Sequence, residues 1–559
     1  MAMIRLIPRE YRPKGVLVAI LVPVSALIDL FGVAALLPVM MLLLDKEAIS
    51  GSFLMRIYES LGFASQDSFA LFVCLLVLVL LVVKSVLSIL ISTFQNKYML
   101  SLYRHFSSTL FDNYYNKGLV FVKQSNSSEM TFNINAVCYN FVVAYLGGYL
   151  RLFGAIAFTL LMLVALLVYN PLAAALSLAS FVPALAVYLL LVRKPLVRYG
   201  TLENNARRQQ YRLVQETFRG YPEIEVSGAY DLCRERFDEG LRDISKYRVR
   251  SGIIQAIPSF LLEIVIVAVV AVLLMLSING SDKASLVFLG VFSVAMLKLM
   301  PAVRSIISSW SAIKATRYTS QVVAQIEDSS SYREMGTPEG DLPFEQSIEM
   351  DNVSFAFDSS PVIDRLSIVI HKGERVGIKG RTGAGKTTLF NLLLGLYAPQ
   401  EGSVRIDGTT LDASNVALWH RKVGYVPQDV FITDSTIAEN VALGRDGSQI
   451  DRERVIAALE QASLMDFINS LPKGIDTRIG EAGSRISGGQ RQRLGIARAL
   501  YKGAEVLFFD EATSSLDSQT ESEVNEAIRG ISNRKKELTI IVISHRQSTL
   551  DFCDRVIEI

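Results

Sequence analysis

The distribution of apolar and polar positions divides the chain into two parts. Six long apolar stretches lie before about residue 315, whereas the rest of the chain alternates short apolar runs with charged segments. Each stretch reaches the ~20 residues that a helix needs to cross the hydrocarbon core of a bilayer. The pattern predicts transmembrane helices at residues 16–44, 69–94, 137–168, 172–192, 253–278 and 284–313.

The second part has the pattern of an α/β domain. Strand-like runs such as "SIEMDNVSFAF", "EVLFFD" and "TIIVIS" alternate with segments of helical periodicity. Between the two parts lies "EDSSSYREMGTPEGDLP", which is rich in Ser, Gly and Pro and is typical of a linker. We therefore predict an all-α transmembrane domain of six helices (1–326), a linker (327–345) and an α/β domain (346–559).

The charges beside the apolar stretches predict an orientation. Arg5, Arg9, Arg12 and Lys14 precede the first stretch, whereas the next loop is mainly acidic. The segments after the second and fourth stretches are basic and long, and each has a bend between helical extensions, "NKGLVFVKQSNSSEM" and "RGYPEIEVSGAY". By the positive-inside rule, both termini and these helical extensions are cytoplasmic. Residues 52–63 have the periodicity of a short amphipathic helix at the opposite membrane surface.

Composition supports a membrane protein of a reducing compartment. Hydrophobic residues make up 51% of the 559-residue chain, which is too high for a purely soluble protein. The formal net charge of +2 gives no basis for nucleic-acid binding. The four cysteines have no metal-ligand spacing, so we interpret them as buried apolar residues of an intracellular protein.

Six charged residues fall inside the apolar stretches, where an unpaired charge costs a few kcal/mol. They are Asp29, Lys84, Arg151, Glu263, Lys298 and Arg304. Two interpretations remain open. The residues line a hydrated cavity, in which the cations suit a phosphate-bearing substrate, or they form ion pairs and reach towards the membrane surface.

A phosphate-binding loop begins the second part. Gly380, Gly385, Lys386 and Thr387 have the spacing G-x-x-x-x-G-K-T, between an apolar strand and a helix. Glycines let backbone N–H groups surround phosphates, and the helix N-terminus adds its dipole. Lys386 is then expected to reach the β- and γ-phosphates of a nucleotide, and Thr387 to bind Mg²⁺.

Two later apolar strands end in residues that suit nucleotide hydrolysis. Asp510 follows "EVLFF", at the position where parallel sheets place metal-binding carboxylates. Glu511 comes next and is our candidate general base, or the group that orients the attacking water. His545 follows "TIIVIS" and is placed to contact the γ-phosphate and that water.

These motifs resemble those of the ATP-binding cassette (ABC) family. The P-loop, "VPQD", "ISGGQ", "FFDEATSSLD" and "SH" occur in the order typical of its ATPases, from about residue 346 to the end. With six apolar stretches before them, the whole chain resembles a type IV exporter half-transporter, a transmembrane domain fused to an α/β P-loop ATPase. The resemblance implies ATP and Mg²⁺ as ligands, alternating access, and a multi-pass protein of the bacterial inner membrane.

The resemblance also assigns roles to single residues. Catalysis would involve Glu511, His545 and Gln428, and the metal would be held by Thr387, Gln428 and Asp510. Phe357 would stack on adenine, and Ser487 to Gln490 would cap the ATP of a second subunit. The remaining nucleotide contacts are expected from Gly380, Arg381, Thr382, Gly383, Ala384, Gly385, Lys386, Thr387, Thr388, Ser487, Gly488, Gly489, Gln490 and Asp517. The bends near Lys123 and Glu223 would be the coupling helices.

The sequence indicates the substrate less specifically than it indicates ATP hydrolysis. "LIDLFGVAALLPV", "AIPSFLLE" and "LKLMPAVRSI" resemble segments of bacterial flippases for lipid-linked oligosaccharides, which implies an amphiphile with a pyrophosphate-sugar head. Lys84, Arg151, Lys298 or Arg304 would neutralise that head. The alternatives are a multidrug or lipid A exporter, a peptide exporter, and an ABC ATPase without a transport role. The complete motif set favours a homodimer with two working sites.

Overall fold

The computed structural model describes residues 7–35, 39, 58, 60, 63, 66–278, 283–324, 340–357, 360–381, 383–480, 483, 485–512 and 518–559. Contacts divide the chain into two compact units, Met1–Lys117 with Phe121–Tyr332, and Gly118–Val120 with Arg333–Ile559. Most of the amphipathic segment 52–63 and most of the predicted linker lie outside the described residues. We refer to the two parts as the membrane unit and the cassette.

The membrane unit is helical throughout its described part. A 3₁₀ turn at Arg9–Tyr11 leads into its first helix. The helices are α1 (Arg12–Ala34), α2 (Gln66–Asn116), α3 (Gly118–Gln124), α4 (Ser127–Tyr169, with π turns at Asn133–Val137 and Phe141–Leu146), α5 (Pro171–Val187), α6 (Arg193–Arg219, joined to α5 by a π turn at Tyr188–Val192), α7 (Tyr221–Val226), α8 (Tyr230–Ile278), α9 (Lys283–Ala315) and α10 (Tyr318–Ala324).

Six helical stretches of the described residues are long and apolar enough to cross a membrane, which confirms the prediction of six apolar helices. They are Arg9–Ala34, Ser68–Asn116, Ser127–Tyr169, Ala174–Arg219, Tyr230–Val272 and Phe292–Ala315. Several exceed the ~30 residues of a tilted span, because their polar ends continue the helix beyond the apolar segment. The short helices α3 and α7 lie at the two predicted bends.

Many aliphatic side chains of the membrane unit point outwards, as expected of helices that face lipid. Leu71, Ile89, Val168 and Leu190 are among those more than 60% exposed. Inside the unit, α4 and α9 approach closely at a glycine. A Cβ at Gly148 would lie 2.9 Å from Ile313 Cγ1, so a larger residue would push the two helices apart.

The cassette contains two sheets. An antiparallel sheet has the order β2-β1-β4-β5, from β1 (Ser347–Phe357), β2 (Ser360–His371), β4 (Glu401–Ile406) and β5 (Thr409–Thr410). A parallel sheet has the order β6-β7-β8-β3-β9, from β3 (Arg375–Lys379), β6 (Val423–Val426), β7 (Val506–Asp510), β8 (Thr539–Ile543) and β9 (Arg555–Glu558). Strands β7 and β8 are buried at every position, as central parallel strands require.

Helices cover both faces of the parallel sheet. They are α11 (Lys386–Leu393), α12 (Val416–Lys422), α13 (Ile437–Val441), α14 (Arg452–Gln461), α15 (Met465–Ser470), α16 (Gly488–Lys502), α17 (Ser518–Arg534) and α18 (Gln547–Leu550). The alternation of side chains along β7 separates two cores. Leu507 and Phe509 pack with residues of α14, α16 and α17, whereas Phe508 packs with α11 on the opposite face.

Candidate functional site

The P-loop connects β3 to α11 as the sequence predicts. Gly383 and Gly385 have φ angles of 86° and 89°, which a residue with a side chain rarely adopts. Space is also limited, since a Cβ at Gly385 would lie 3.0 Å from the carbonyl oxygen of Val362. The two glycines therefore allow a tight turn directly before the N-terminus of α11, a position that suits an anion.

Lys386 is held within this loop by its own backbone. The side chain is buried, with a residue exposure of 6%, and its Nζ donates to the carbonyl oxygens of Gly380 at 3.0 Å and Arg381 at 3.1 Å. These two bonds fix the ammonium group at the mouth of the loop, where a phosphate oxygen can accept its third N–H.

Asp510 lies on the same face of the sheet as the P-loop helix. Residues two apart on a strand share a face, so Asp510 points to the side of Phe508. The Phe508 ring packs edge-on against Phe390 of α11, with 5.3 Å between ring centroids. Asp510 is 6% exposed. The strand order and this packing thus bring a buried carboxylate to the side of the sheet that carries Lys386 and Thr387.

Glu511 and His545 form a pair beyond the ends of adjacent strands. The Nε2 atom of His545 lies 3.2 Å from Oε1 of Glu511, and the two side chains are 42% and 24% exposed. The backbone of Glu511 has a φ of 48° and its N–H donates to the carbonyl oxygen of Ile543 at 3.0 Å. Such a conformation is costly for a residue other than glycine and is characteristic of functional sites. It turns the carboxylate out of the strand and towards His545.

Tyr425 is a residue that sequence reasoning missed. Its hydroxyl lies 3.4 Å from Oδ2 of Asp510. Burial raises the pKa of Tyr425, and the negative charge of Asp510 raises it further, so the hydroxyl stays protonated and donates to the carboxylate. Tyr425 pairs with Phe508 in the sheet register, one strand over from Asp510. The signal was available in "VGYVPQD", where a tyrosine interrupts an apolar buried strand.

Gln428 follows β6 and is anchored by a second missed residue, Gln492. The Gln428 side chain is exposed, whereas Gln492 of α16 is 3% exposed. Nε2 of Gln492 donates to the carbonyl oxygens of Pro427, at 3.4 Å, and Gln428. Helix α16 therefore holds the backbone beside Gln428, and a change at one end of this contact reaches the other.

The "ISGGQ" segment forms a capping box at the start of α16. Oγ of Ser487 accepts from the N–H of Gln490 at 3.2 Å, and Oε1 of Gln490 accepts from the N–H of Ser487 at 2.9 Å. Two backbone N–H groups of the helix end are thereby satisfied. Because Ser487 uses its oxygen as the acceptor, its O–H proton is still available to donate to an outside anion. Gly488 and Gly489 form the first turn of this 15-residue helix.

Other predicted nucleotide contacts have different surroundings. The Phe357 ring packs edge-on against Tyr397 and Phe355, at centroid distances of 5.7 Å and 5.1 Å, and is partly exposed. Thr387 is exposed at the start of α11, whereas Thr388 is buried. Thr382 and Asp517 lie outside the described residues.

The membrane unit contains a cavity of about 580 Å³ that collects three of the predicted cations. Lys84, Arg151 and Lys298 line it, together with Asp29, and we name it the cation cavity. Nζ of Lys84 lies 2.6 Å from Oδ1 of Asp29. Further polar lining residues are Ser25, Ser92, Gln95, Asn96 and Ser305. Arg304 is not among the lining residues, and its Nη2 lies 3.4 Å from Oε2 of Glu263.

Comparisons with known proteins agree with this architecture. A family model described as ABC transporter matches residues 363–514, and one described as ABC transporter transmembrane region matches residues 47–300. An ATP-dependent lipid A-core flippase of Burkholderia pseudomallei (strain 1710b) is 32% identical over 462 residues, which cover 80% of this chain and 75% of that protein. A protein of the same name from Ralstonia nicotianae (strain ATCC BAA-1114 / GMI1000) is 32% identical over 438 residues, covering 76% and 72%.

The chain belongs to the ABC transporter family. A solved bacterial Atm1-family ABC exporter with ATP bound has the same fold, with a TM-score of 0.74 and 24% identity over 99% of this chain and 93% of that one. The predicted fold class, six apolar helices followed by an α/β ABC ATPase domain, is thereby confirmed. The ABC transporter binds ATP and couples its hydrolysis to movement of a substrate across the membrane in which its six helices lie.

Proposed function

We propose that this ABC transporter flips a lipid whose head group carries both phosphate and sugar. The cation cavity is the observation that carries the proposal. It places Lys84, Arg151 and Lys298 around one space among helices apolar enough to cross a membrane, where a charged side chain is costly unless it is paired, hydrated or bound to a ligand. A lipid-linked oligosaccharide is our first candidate substrate. The second is a lipid A-core molecule, for which the relatives are named, and both share this head-group chemistry.

The pairing of Asp29 with Lys84 suits a site that binds and releases an anion. At 2.6 Å, the carboxylate compensates the ammonium group in the absence of substrate. The phosphate of an incoming substrate would compete with Asp29 for Lys84. Arg151 and Lys298 would then complete the coordination of that phosphate. A neutral drug would gain nothing from the charged residues of this cavity.

We propose that the ATP site uses the residues assigned by family resemblance. Lys386 and the P-loop N–H groups would bind the β- and γ-phosphates, and Phe357 would contact adenine. One buried carboxylate and one hydroxyl, Asp510 and Thr387, fit Mg²⁺, which takes few protein ligands and completes its shell with water and phosphate. When bound, Mg²⁺ neutralises phosphate charge. The described residues contain no cluster of three or more acidic, His or Cys ligands, which a phosphate-coordinated ion does not need.

Hydrolysis would proceed through Glu511 and His545. Their 3.2 Å contact lets His545 hold the carboxylate in position, and Glu511 would accept a proton from the attacking water. Gln428, whose backbone is held by Gln492, would contact Mg²⁺ and the γ-phosphate. Ser487, Gly488 and Gly489 would contact the γ-phosphate bound by a second copy of the chain, since the exposed Ser487 O–H can donate outwards.

The arrangement in the cell follows from the same argument. Half-transporters of this family work as dimers, and we propose a homodimer in the bacterial inner membrane. The basic helical extensions and the positive-inside rule support a cytoplasmic N-terminus and a cytoplasmic cassette. A role as an ABC ATPase without transport is opposed by the six apolar helices.

Translocation by purified transporter in liposomes tests the proposed substrate. We expect ATP-dependent movement of a fluorescent polyprenyl-pyrophosphate oligosaccharide, and a fall of about tenfold or more for Lys84→Ala, because one charge-assisted bond to phosphate is lost. Lys84→Arg should retain most of the activity. Lys314→Ala is a matched control, since Lys314 lies over the Trp310 ring, at 5.1 Å, and does not line the cavity. Normal translocation by Lys84→Ala would contradict the phosphate role.

A further inference from the structure

A second cavity of about 720 Å³ lies in the membrane unit, beyond the cation cavity. Its walls come from α4, α6, α8 and α9 and from Tyr318 at the start of α10, where the apolar segments give way to polar helical extensions. We name it the tyrosine cavity, after Tyr211 and Tyr318. Leu196 is its one lining residue with an aliphatic side chain larger than alanine. This composition is unsuitable for an acyl or polyprenyl tail.

The polar groups of the tyrosine cavity are fixed by hydrogen bonds. Tyr318 donates its hydroxyl to Oδ1 of Asn204 at 2.7 Å. Glu203 is only 12% exposed and accepts from Nε and Nη2 of Arg207, at 3.2 Å and 3.0 Å. Fixed amide, carboxylate and guanidinium groups offer both donors and acceptors in set directions, which is what a ligand rich in hydroxyl groups requires.

Aromatic rings add a stacking surface to these hydrogen-bonding groups. Tyr211 is 57% exposed, and its ring is held edge-on against Phe132, with 5.6 Å between centroids. The guanidinium of Arg208 lies 5.5 Å from the centre of the Phe132 ring. Tyrosine presents a rigid apolar face with a polar edge, so an exposed ring in a polar cavity can cover the C–H face of a sugar while its hydroxyl bonds to a neighbouring group.

Three cations and one carboxylate line the tyrosine cavity, namely Arg151, Arg207, Arg248 and Glu203. Glu203 lies between Arg207 and Arg248, whose Nη1 is 3.9 Å from Oε1 of Glu203. Both guanidinium groups thus face a nearly buried carboxylate, which compensates part of their charge. The hydroxyl groups of a sugar can bond to these donors and acceptors without displacing an ion pair.

Arg151 lines both cavities. Its Nη2 donates to the carbonyl oxygen of Val143 at 3.2 Å, which holds the side chain at the boundary between them. A head group with phosphate in the cation cavity would therefore extend its adjoining sugars past Arg151 into the tyrosine cavity.

We propose that the tyrosine cavity is a carbohydrate-binding site that holds the sugars of the head group while its phosphate contacts the cation cavity. The proposal rests on the proposed function, because it concerns the second half of the same substrate. It predicts that this part of the membrane unit distinguishes a glycolipid from the same lipid without sugar.

The test compares two lipids that share their tail and pyrophosphate, a polyprenyl-pyrophosphate oligosaccharide and the corresponding sugar-free polyprenyl pyrophosphate. Stimulation of ATPase activity and translocation are measured for the full chain in liposomes. For Tyr211→Ala, we expect the half-saturating concentration of the glycolipid to rise about tenfold, since the sugar loses its stacking surface. The value for the sugar-free lipid should change less than twofold. Tyr211→Phe keeps the ring and should resemble the unmodified protein.

Two controls separate the site from a general loss of structure. Tyr115 is 68% exposed and does not line the cavity, so Tyr115→Ala matches the size of the change elsewhere in the membrane unit. If the unmodified transporter moves neither lipid, the lipid-linked oligosaccharide is wrong as the substrate, and the carbohydrate site proposed for its sugars is wrong with it. If it moves the glycolipid, but Tyr211→Ala shifts both lipids equally or neither, only the carbohydrate site is wrong.

Discussion

The cassette and the membrane unit build their binding sites in different ways. In the cassette, Lys386 and Asp510 are each 6% exposed and are fixed by a loop and a strand that parallel-sheet topology brings together. In the membrane unit, Lys84 and Asp29 remain 23% and 47% exposed on the wall of an open cavity. Their partners come from helices that are distant in the sequence.

Because of this difference, removal of a charged side chain should have different effects in the two sites. A buried, hydrogen-bonded charge in the cassette supports the geometry around it, so its removal should affect every substrate equally. A charge on a cavity wall is partly solvated, so its removal should matter in proportion to what the substrate offers it. Variants that change ATP binding or hydrolysis in the absence of added lipid should therefore lie mainly in the cassette.

The largest effect is expected at the proposed general base. Glu511→Gln keeps the shape of the side chain but cannot accept a proton, so ATP hydrolysis should fall by about 10²- to 10⁴-fold. Binding of ATP should persist, because the P-loop is unchanged. Phosphate release and binding of a fluorescent ATP analogue, both without added lipid, measure the two effects. Hydrolysis within a few-fold of the unmodified protein would contradict the assignment of Glu511.

A smaller effect is expected at the P-loop lysine. Lys386→Ala removes a charge-assisted bond to phosphate and both bonds to the loop carbonyls, so ATP affinity should fall by roughly 10- to 100-fold. The measurement is a titration with the same fluorescent analogue. Lys473→Ala changes an exposed lysine in a loop of the cassette and serves as the control. Equal affinities for the two variants would remove Lys386 from the phosphate site.

The sequence predicts the fold of the cassette well, and its candidate site residues follow strand ends. Once an apolar run is recognised as a parallel strand, the residue after it must lie at the ligand-binding edge of the sheet. Asp510, Glu511 and His545 were located in this way, and the 3.2 Å contact between Glu511 and His545 agrees with it. The capping box at Ser487 and Gln490 was not predicted, although its spacing is visible in "SGGQ".

The membrane unit was predictable only in outline. Apolar length gives the number of helices, but apolar residues on every side of a helix leave its facing direction undefined. The sequence does not rank the four candidate cations Lys84, Arg151, Lys298 and Arg304. In the described structure the first three line the cation cavity, whereas Arg304 lies beside Glu263. The tyrosine cavity could not be found from sequence, because Glu203 and Tyr211 of α6 meet Tyr318 of α10 only after the helices pack.

The smallest effect tests whether a single hydroxyl of the cassette acts through its neighbour. Tyr425→Phe removes the group that lies 3.4 Å from the Asp510 carboxylate and leaves the ring in the core. Groups that orient metal ligands typically change metal affinity by 10- to 100-fold, and at this long distance we expect the lower limit.

The measurement is ATPase activity against Mg²⁺ concentration, in which the half-saturating Mg²⁺ concentration of Tyr425→Phe should rise about tenfold while the maximal rate stays within about twofold. Tyr501→Phe is the control, because the Tyr501 hydroxyl accepts from the N–H of Asp451, at 3.2 Å, on the opposite side of the sheet. A purely structural role would lower the maximal rate or the thermal stability of Tyr425→Phe without moving its Mg²⁺ dependence. That outcome would mean that Tyr425 only fills space in the core and that Asp510 is oriented by the strand alone.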